Sequence, residues 1–318
     1  MQLHSNGIKM VRSIKLYSNF NIKSEHKNSV ILIGNFDGLH LGHQKLFALA
    51  EKYKTKYALK VGVLTFEPMP KMYFNKDIKN FRIANQRQKI DLLKKLSVDF
   101  IIIKKFNREF SKTKSINFIK NILSKKLKAK FIFVSHNFRF GNKREGTVKQ
   151  LIDNQKKYDF KIIKPLPLLN KKRIVSSTLI RNHLQRGKLK EANKFLNRNW
   201  SIQGKVQKGK KLGKKIGFPT ANIDIRDSVL ACPGVYQVKT KIQKSFKYIK
   251  GIANMGFRPT FSGKKILLEV HLFNFNRNLY NKDLTVEFLK FIRKEKKFKD
   301  IKQLKKQIMK DIKVAKTK

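Results

Sequence analysis

Apolar residues fall along the first half of this chain in short unbroken runs, separated by stretches of helical period. The runs 30–33 (VILI), 60–66 (KVGVLTF), 98–103 and 130–134 read as buried strands, with a weaker one over 14–20. Between them Leu46, Phe47, Leu49 and Ala50, then Ile90, Leu93 and Leu96, then residues 115–127, carry the spacing of amphipathic helices. The order β-α-β-α-β-α-β predicts a parallel sheet with helices on both faces. Right-handed crossovers would bring the strand ends, and the loops after them, to one edge. Residues 162–169 read as extended and proline-broken, and a helix over 184–196 is expected to end this domain. From Trp200 the period becomes two. Stretches 202–206, 235–239, 248–253, 266–273 and 284–291 alternate with glycine and proline turns, as in a small antiparallel barrel or sandwich. The closing stripe of Ile301, Leu304, Ile308 and Ile312 predicts a basic amphipathic helix capping that barrel.

The loop after the first strong strand concentrates the chemistry. Gly34-Asn35-Phe36-Asp37-Gly38-Leu39-His40-Leu41-Gly42-His43 runs from a strand end into a helix. His40 and His43 are three apart, roughly 60° around a helix and about 4.5 Å along it, so they share a face. Backbone N–H groups at a helix start favour a phosphate, and two imidazoles beside them can neutralise charge on a phosphoryl group. A zinc pair or a pair packed in the core are the alternatives, but zinc wants further ligands and the only cysteine, Cys232, is remote in sequence. Asn137, in the loop 135–141 after the fourth strong strand, would face the same edge, as a ligand contact or an ordinary turn residue. Ser176, Ser177 and Thr178 are helix-cap candidates, and Arg181 in the first turn opposes the helix dipole unless an anion sits there; a solvated arginine is the alternative.

A second constellation spans 209–222, GKKLGKKIGFPTAN. It is not a Walker loop, yet its glycines and lysines suit a polyphosphate. Thr220 and Asn222 alternate on an extended segment and offer hard oxygen ligands to Mg2+ held with a nucleotide; a plain glycine-rich hairpin is the alternative. Glu269 and His271 share one face of the strand 266–273 by alternation. Glu269 is a candidate general base for an alcohol, or a carboxylate paired with a surface lysine.

Composition alters the picture in two ways. Lys and Arg number 75 against 20 Asp and Glu, a formal charge of +55. The lysines are scattered and accompany abundant Ile, Asn and Phe, so the reading preferred is compositional, with nonspecific attraction to polyanions at low salt rather than a dedicated nucleic-acid partner. One cysteine excludes an internal disulfide and suits a reducing compartment. No apolar run reaches membrane-span length and MQLHSNGIKMVRS has no signal-type block, so a cytoplasmic protein without a membrane partner is expected.

The ordered set GNFDGLHLGH, NFRFG, SSTLIR, GFPTANI, PGVY, GIANMGFRPTF, LEVHLFNF and FIRKEKKF resembles the bifunctional bacterial riboflavin kinase/FAD synthetase family from about Val30 to the C-terminus. The resemblance implies an N-terminal nucleotidyltransferase domain with a Rossmann-like sheet over 1–187 and a six-stranded flavokinase barrel with a C-terminal helix over 188–318. It implies ATP-dependent phosphorylation of riboflavin to FMN, then adenylylation of FMN to FAD with release of pyrophosphate. The residues implied are His40 and His43 at the α-phosphate, and Gly34, Phe36, Asp37, Asn137, Ser177, Thr178 and Arg181 at the nucleotide. Lys214, Gly217, Phe218 and Pro219 would contact the second nucleotide, Thr220 and Asn222 Mg2+, and Glu269 the riboflavin 5′-hydroxyl, in an ATP pocket expected at the barrel mouth. Riboflavin, FMN and ATP are the expected partners, with flavin co-purifying, and the chain a monomer or weak homo-oligomer. Departures from the family pattern are Lys214 for arginine, Ser135 and Asn281 for glycines, and Asn274 for aspartate. Other adenylyltransferases of the histidine class, for pantetheine phosphate or nicotinamide mononucleotide, lack the second domain.

Overall fold

The computed structural model describes residues 14–209, 212–243, 245, 247–260 and 263–317. The N-terminal stretch 1–13, Lys210 and Lys211 of the glycine–lysine run, and Phe261 lie outside the described residues. The chain forms two compact units, Met1–Asp77 with Ile90–Leu168, and Ile78–Lys89 with Leu169–Lys318.

In the first unit six strands, β1 (Lys15–Tyr17), β2 (Val30–Ile33), β3 (Val61–Glu67), β4 (Phe100–Lys105), β5 (Phe131–Phe133) and β6 (Lys161–Ile163), form one sheet in the order β1-β4-β3-β2-β5-β6. Every neighbouring pair is parallel. Alternation along the strands splits the core. Ile31, Ile33, Leu64, Ile102 and Ile132 face one apolar layer, whereas Val30, Leu32, Val63, Ile101 and Phe133 face the other. That two-sided burial explains the unbroken apolar runs. β6 occupies part of the stretch read only as extended; with two apolar residues at a sheet edge it leaves a faint signature. The helix expected over 115–127 is an α-turn, Ser115–Asn117, leading into nine residues of π-helix, Phe118–Lys126, which buries the pairs Phe118/Ile119 and Ile122/Leu123.

In the second unit six strands close a barrel: β7 (Ser201–Gln207), β8 (Ala221–Asp224), β9 (Gly234–Ile242), β10 (Tyr248–Thr260), β11 (Gly263–Leu272) and β12 (Asp283–Lys294), in the order β7-β8-β11-β10-β9-β12. All six pairings are antiparallel. Ile202, Ile223, Val238, Met255, Leu268, Val286 and Phe288 are fully buried, and the residues alternating with them face outwards. The C-terminal helix Ile301–Lys316 does not cap the barrel. It lies along the outer wall, with Ile308, Ile312 and Ala315 against Val235, Ile252 and Ile292. The single helix expected over 184–196 is two, Ser177–Gln185 and Leu189–Leu196, interrupted where Gly187 takes a φ of +72°. Asn274 and Asn281 adopt φ of +52° and +62°, left-handed turns that asparagine tolerates.

The segment Ile78–Lys89 interrupts the sequence of the first unit yet is built into the second. Phe81 N and Arg82 N both donate to the Asp227 carbonyl at 2.8 Å, and Val229 N donates to the Arg82 carbonyl at 2.7 Å. Trp200 Nε1 donates to the Ile83 carbonyl at 3.0 Å, and Asn85 and Gln88 side chains donate to carbonyls of Gln203 and Ser201 on β7. Arg82, itself buried, forms an ion pair with Asp227, whose side chain is 38% exposed.

Candidate functional site

The first site grows from the sheet's switch point. From β2 the chain continues to β3 on one side, while β5 pairs on the other, Leu32 opposite Phe133. Ligands of open α/β sheets settle where strand order reverses in this way, beyond the strand ends. The loop leaving β2 is tight: Phe36, Gly38 and Leu39 have φ of +49°, +77° and +40°. It delivers His40 as the cap of helix Leu41–Lys56, its Nδ1 accepting from His43 N at 3.4 Å. The two imidazoles stack at 3.7 Å between centroids, and the edge of Phe36 meets His43 at 5.3 Å. His40 and Asp37 are buried. His43 Nδ1 is buried without a hydrogen-bond partner. Burial, then the neighbouring His40, pushes the His43 imidazole well below the ordinary histidine value, so it is neutral at physiological pH.

The loop after β5 stands at the same sheet edge. Ser135 Oγ donates to Asn137 Oδ1 at 3.1 Å. Glu145 accepts from Ser115 N at 2.6 Å, and Gly141, with φ of +76°, packs directly on the Ser115 backbone where no Cβ would fit. This anchor escaped the sequence reading, because its partners lie 30 residues apart. Ser177, Thr178 and Arg181 belong to the second unit. Ser176 caps their helix, accepting from Leu179 N at 3.2 Å. Arg181 is held by the segment Ile78–Lys89, a strap across the second unit: Nε donates to the Phe81 carbonyl at 2.8 Å, and the guanidinium lies 3.7 Å over the Phe81 ring.

The second site lies on the outer wall of the barrel, not in its mouth. Leu268 and Val270 point inwards, so Glu269 and His271 point out. Strand register sets Asn222, Glu269 and Asn254 side by side across β8, β11 and β10. They floor a pocket of about 710 Å³ that Phe218 and Thr220 also line. One wall is the loop entering β8, where Gly217, with φ of +90°, ends the short helix Leu212–Lys215 that bears the exposed Lys214. His271 Nδ1 contacts the Pro219 carbonyl at 2.8 Å and so carries the proton there, and its ring meets the edge of Phe218. The opposite wall comes from Glu295, Phe298 and the C-terminal helix. There Arg293 grips the buried Asp311 in a bidentate pair, Nε to Oδ1 at 2.9 Å and Nη2 to Oδ2 at 2.7 Å. Asn254 and this far wall were not singled out in the sequence, although GIANMG and FIRKEKKF carry them.

Asn222 is 8% exposed and its Oδ1 is buried with no partner, beside Thr220 in the same pocket. A desolvated amide oxygen and a hydroxyl are the hard donors that Mg2+ accepts together with phosphate oxygens. Among the described residues no group of three or more His, Cys, Asp or Glu could hold a metal ion. No helix among them is long and apolar enough to cross a membrane.

Comparison with known proteins gives two family matches, FAD synthetase over residues 22–179 and riboflavin kinase over residues 196–318. A bifunctional riboflavin kinase/FMN adenylyltransferase of Buchnera aphidicola (subsp. Schizaphis graminum) is 42% identical over 312 residues, covering 97% of this chain and 98% of that one. The protein of the same description in Escherichia coli K12 is 36% identical over 304 residues, 96% of each. A crystal structure described as a macrolide-efflux protein from Streptococcus pneumoniae superposes with a TM-score of 0.83 at 30% identity, over 95% of this chain and 98% of that one.

Proposed function

The chain belongs to the bifunctional riboflavin kinase/FMN adenylyltransferase family, and from that premise we propose which residues perform its two reactions, phosphorylation of riboflavin and adenylylation of FMN by ATP. In the barrel pocket Glu269 takes the proton of the riboflavin 5′-hydroxyl as that oxygen attacks the γ-phosphorus and ADP departs. Thr220 and Asn222 would hold Mg2+, which would neutralise charge on the nucleotide phosphates. Lys214, Gly217, Phe218 and Pro219 shape the loop that receives the nucleotide. The observation carrying this assignment is the orphaned, buried Asn222 Oδ1 directly across the strand register from Glu269.

At the helix head, a phosphate oxygen of FMN attacks the α-phosphorus of ATP and pyrophosphate leaves. His40 and His43 offer hydrogen bonds to the α-phosphate oxygens as charge builds there; a neutral His43 acts as an N–H donor and not as an ion. Gly34, Phe36, Asp37 and Asn137 contact the nucleotide. Both steps rest on positioning and electrostatics, without a covalent enzyme intermediate. The enzyme works in the cytoplasm as a monomer or weak homo-oligomer, with no specific nucleic-acid partner, and flavin travels with it through purification.

The test supplies riboflavin, ATP and Mg2+ and separates the products. His43→Ala should accumulate FMN without FAD. Glu269→Gln should form no FMN yet convert supplied FMN to FAD. Loss of both steps in either variant, with the protein folded, would refute independent residue sets.

A further inference from the structure

The wall of the kinase pocket opposite the nucleotide loop carries a carboxylate with a built seat. Gly256 lies on β10 two residues beyond Asn254, on the same outward face, and pairs with Leu267 on β11. A Cβ added at Gly256 would fall on the carboxylate of Glu295, so that carboxylate lies directly on the strand backbone at this glycine. Glu295 lines the same pocket as Glu269. Two residues of strand set its seat about 7 Å along the wall from the row that holds Glu269 and Asn254.

Charge decides what this carboxylate meets. A polyphosphate belongs against the glycine–lysine loop and the Thr220 and Asn222 oxygens; Glu295 shares its wall with Arg293, Lys296 and Lys297, but its own carboxylate repels a phosphate oxygen brought within hydrogen-bond reach of it. An ionised carboxylate accepts hydrogen bonds only, so it selects a neutral substrate bearing donors. With the 5′-hydroxyl at Glu269, the groups next along the wall are the remaining hydroxyls of the ribityl chain. We propose that Glu295, seated over Gly256, accepts a hydrogen bond from a ribityl hydroxyl and so discriminates riboflavin from flavins with a different side chain. This rests on the assignment of the pocket to the kinase reaction.

Steady-state phosphorylation by the full-length enzyme tests it. Glu295→Gln should raise KM for riboflavin roughly tenfold or more, the loss of one hydrogen bond to a charged group, with KM for ATP unchanged. Gly256→Ala should do the same by pushing the flexible end of Glu295 aside, and the double variant should be no worse than either single one. Riboflavins lacking one ribityl hydroxyl locate the partner: for one of them the wild type should pay the same penalty and the two variants no further one. An unchanged riboflavin KM, an equal rise in the ATP KM, or variants that still distinguish every deoxy analogue would each overturn the proposal. Conversion of supplied FMN to FAD by the same preparations reports folding. The pocket assignment is tested separately by Glu269→Gln: if that variant still phosphorylates riboflavin, the assignment fails and this proposal with it, whereas a silent Glu295→Gln beside an inactive Glu269→Gln defeats the proposal alone.

Discussion

His43 shows how a short spacing in sequence becomes an electrostatic device. The three-residue interval to His40 was enough to place both rings on one face, and they stack. What spacing could not reveal is the burial of Nδ1, which depends on how the surrounding fold closes around the ring. The consequence is a pH dependence with a definite sign. His43 titrates well below the ordinary value of 6.5 in the fold, and burial lowers His26 and His183 as well. Below pH 6.5 the unfolded chain takes up protons that the folded chain refuses, so stability is full above that value and falls as the pH goes down. Urea unfolding at pH 7.5 and pH 5.5 should show the lower midpoint at the acid pH. His43→Gln should flatten the dependence by up to one proton, about 1.4 kcal/mol per pH unit at its steepest. An identical slope in the variant would mean that His43 takes up its proton in the fold as readily as in the unfolded chain. Glu269 and His271 were legible for the same reason as the histidine pair, since alternation along one strand is local. Their neighbour Asn254 was not, because cross-strand register is a property of the closed barrel.

At the scale of elements, the strong strands and the first helix declared themselves through period, and the sheet follows from their order. The strap Ile78–Lys89 did not. Its first eight residues, Ile78-Lys79-Asn80-Phe81-Arg82-Ile83-Ala84-Asn85, have neither period, and what fixes them is hydrogen bonding to β7, to Trp200 and to residues 226–229. A segment without a pattern can therefore be as firmly held as a strand, provided its backbone groups are satisfied by a distant partner. Arg82 measures how firmly. Its side chain is 6% exposed and paired with Asp227. Arg82→Ala should lower the unfolding free energy by about 2 kcal/mol, the scale for a hydrogen bond to a charged group. Lys130→Ala removes an ion pair with Asp159 whose side chains are 45% and 90% exposed, and should change it by under about 0.5 kcal/mol. Equal effects in the two variants, read from denaturant midpoints, would mean that the strap is only loosely attached. The break at Gly187 and the π-helical turn were hidden for a related reason: apolar spacing fixes which face is buried, not the hydrogen-bond ladder beneath it.

For the whole molecule the dominant physical fact is the charge of +55, and no single element accounts for it. A field of that size acts on every anion. ATP and FMN are anionic and riboflavin is neutral, so the surface charge bears unequally on the two reactions. Attraction from scattered lysines is screened within about 10 Å at 0.1 M salt, and it raises encounter rates without conferring selectivity. Raising salt from 50 mM to 500 mM should therefore increase the KM for ATP and for FMN severalfold and leave the KM for riboflavin within about twofold. Over the same range, retention on a polynucleotide support should collapse with a steep logarithmic slope and show no preference among base compositions. A dedicated nucleic-acid surface would behave otherwise. Its contacts would include base edges or stacking aromatics as well as phosphates, so a favoured sequence would stay bound at salt that strips the rest. Persistence of one polynucleotide at 500 mM salt would show that the lysines have been selected for a partner; uniform release, alongside the split between neutral and charged substrates, is the outcome that a compositional origin requires.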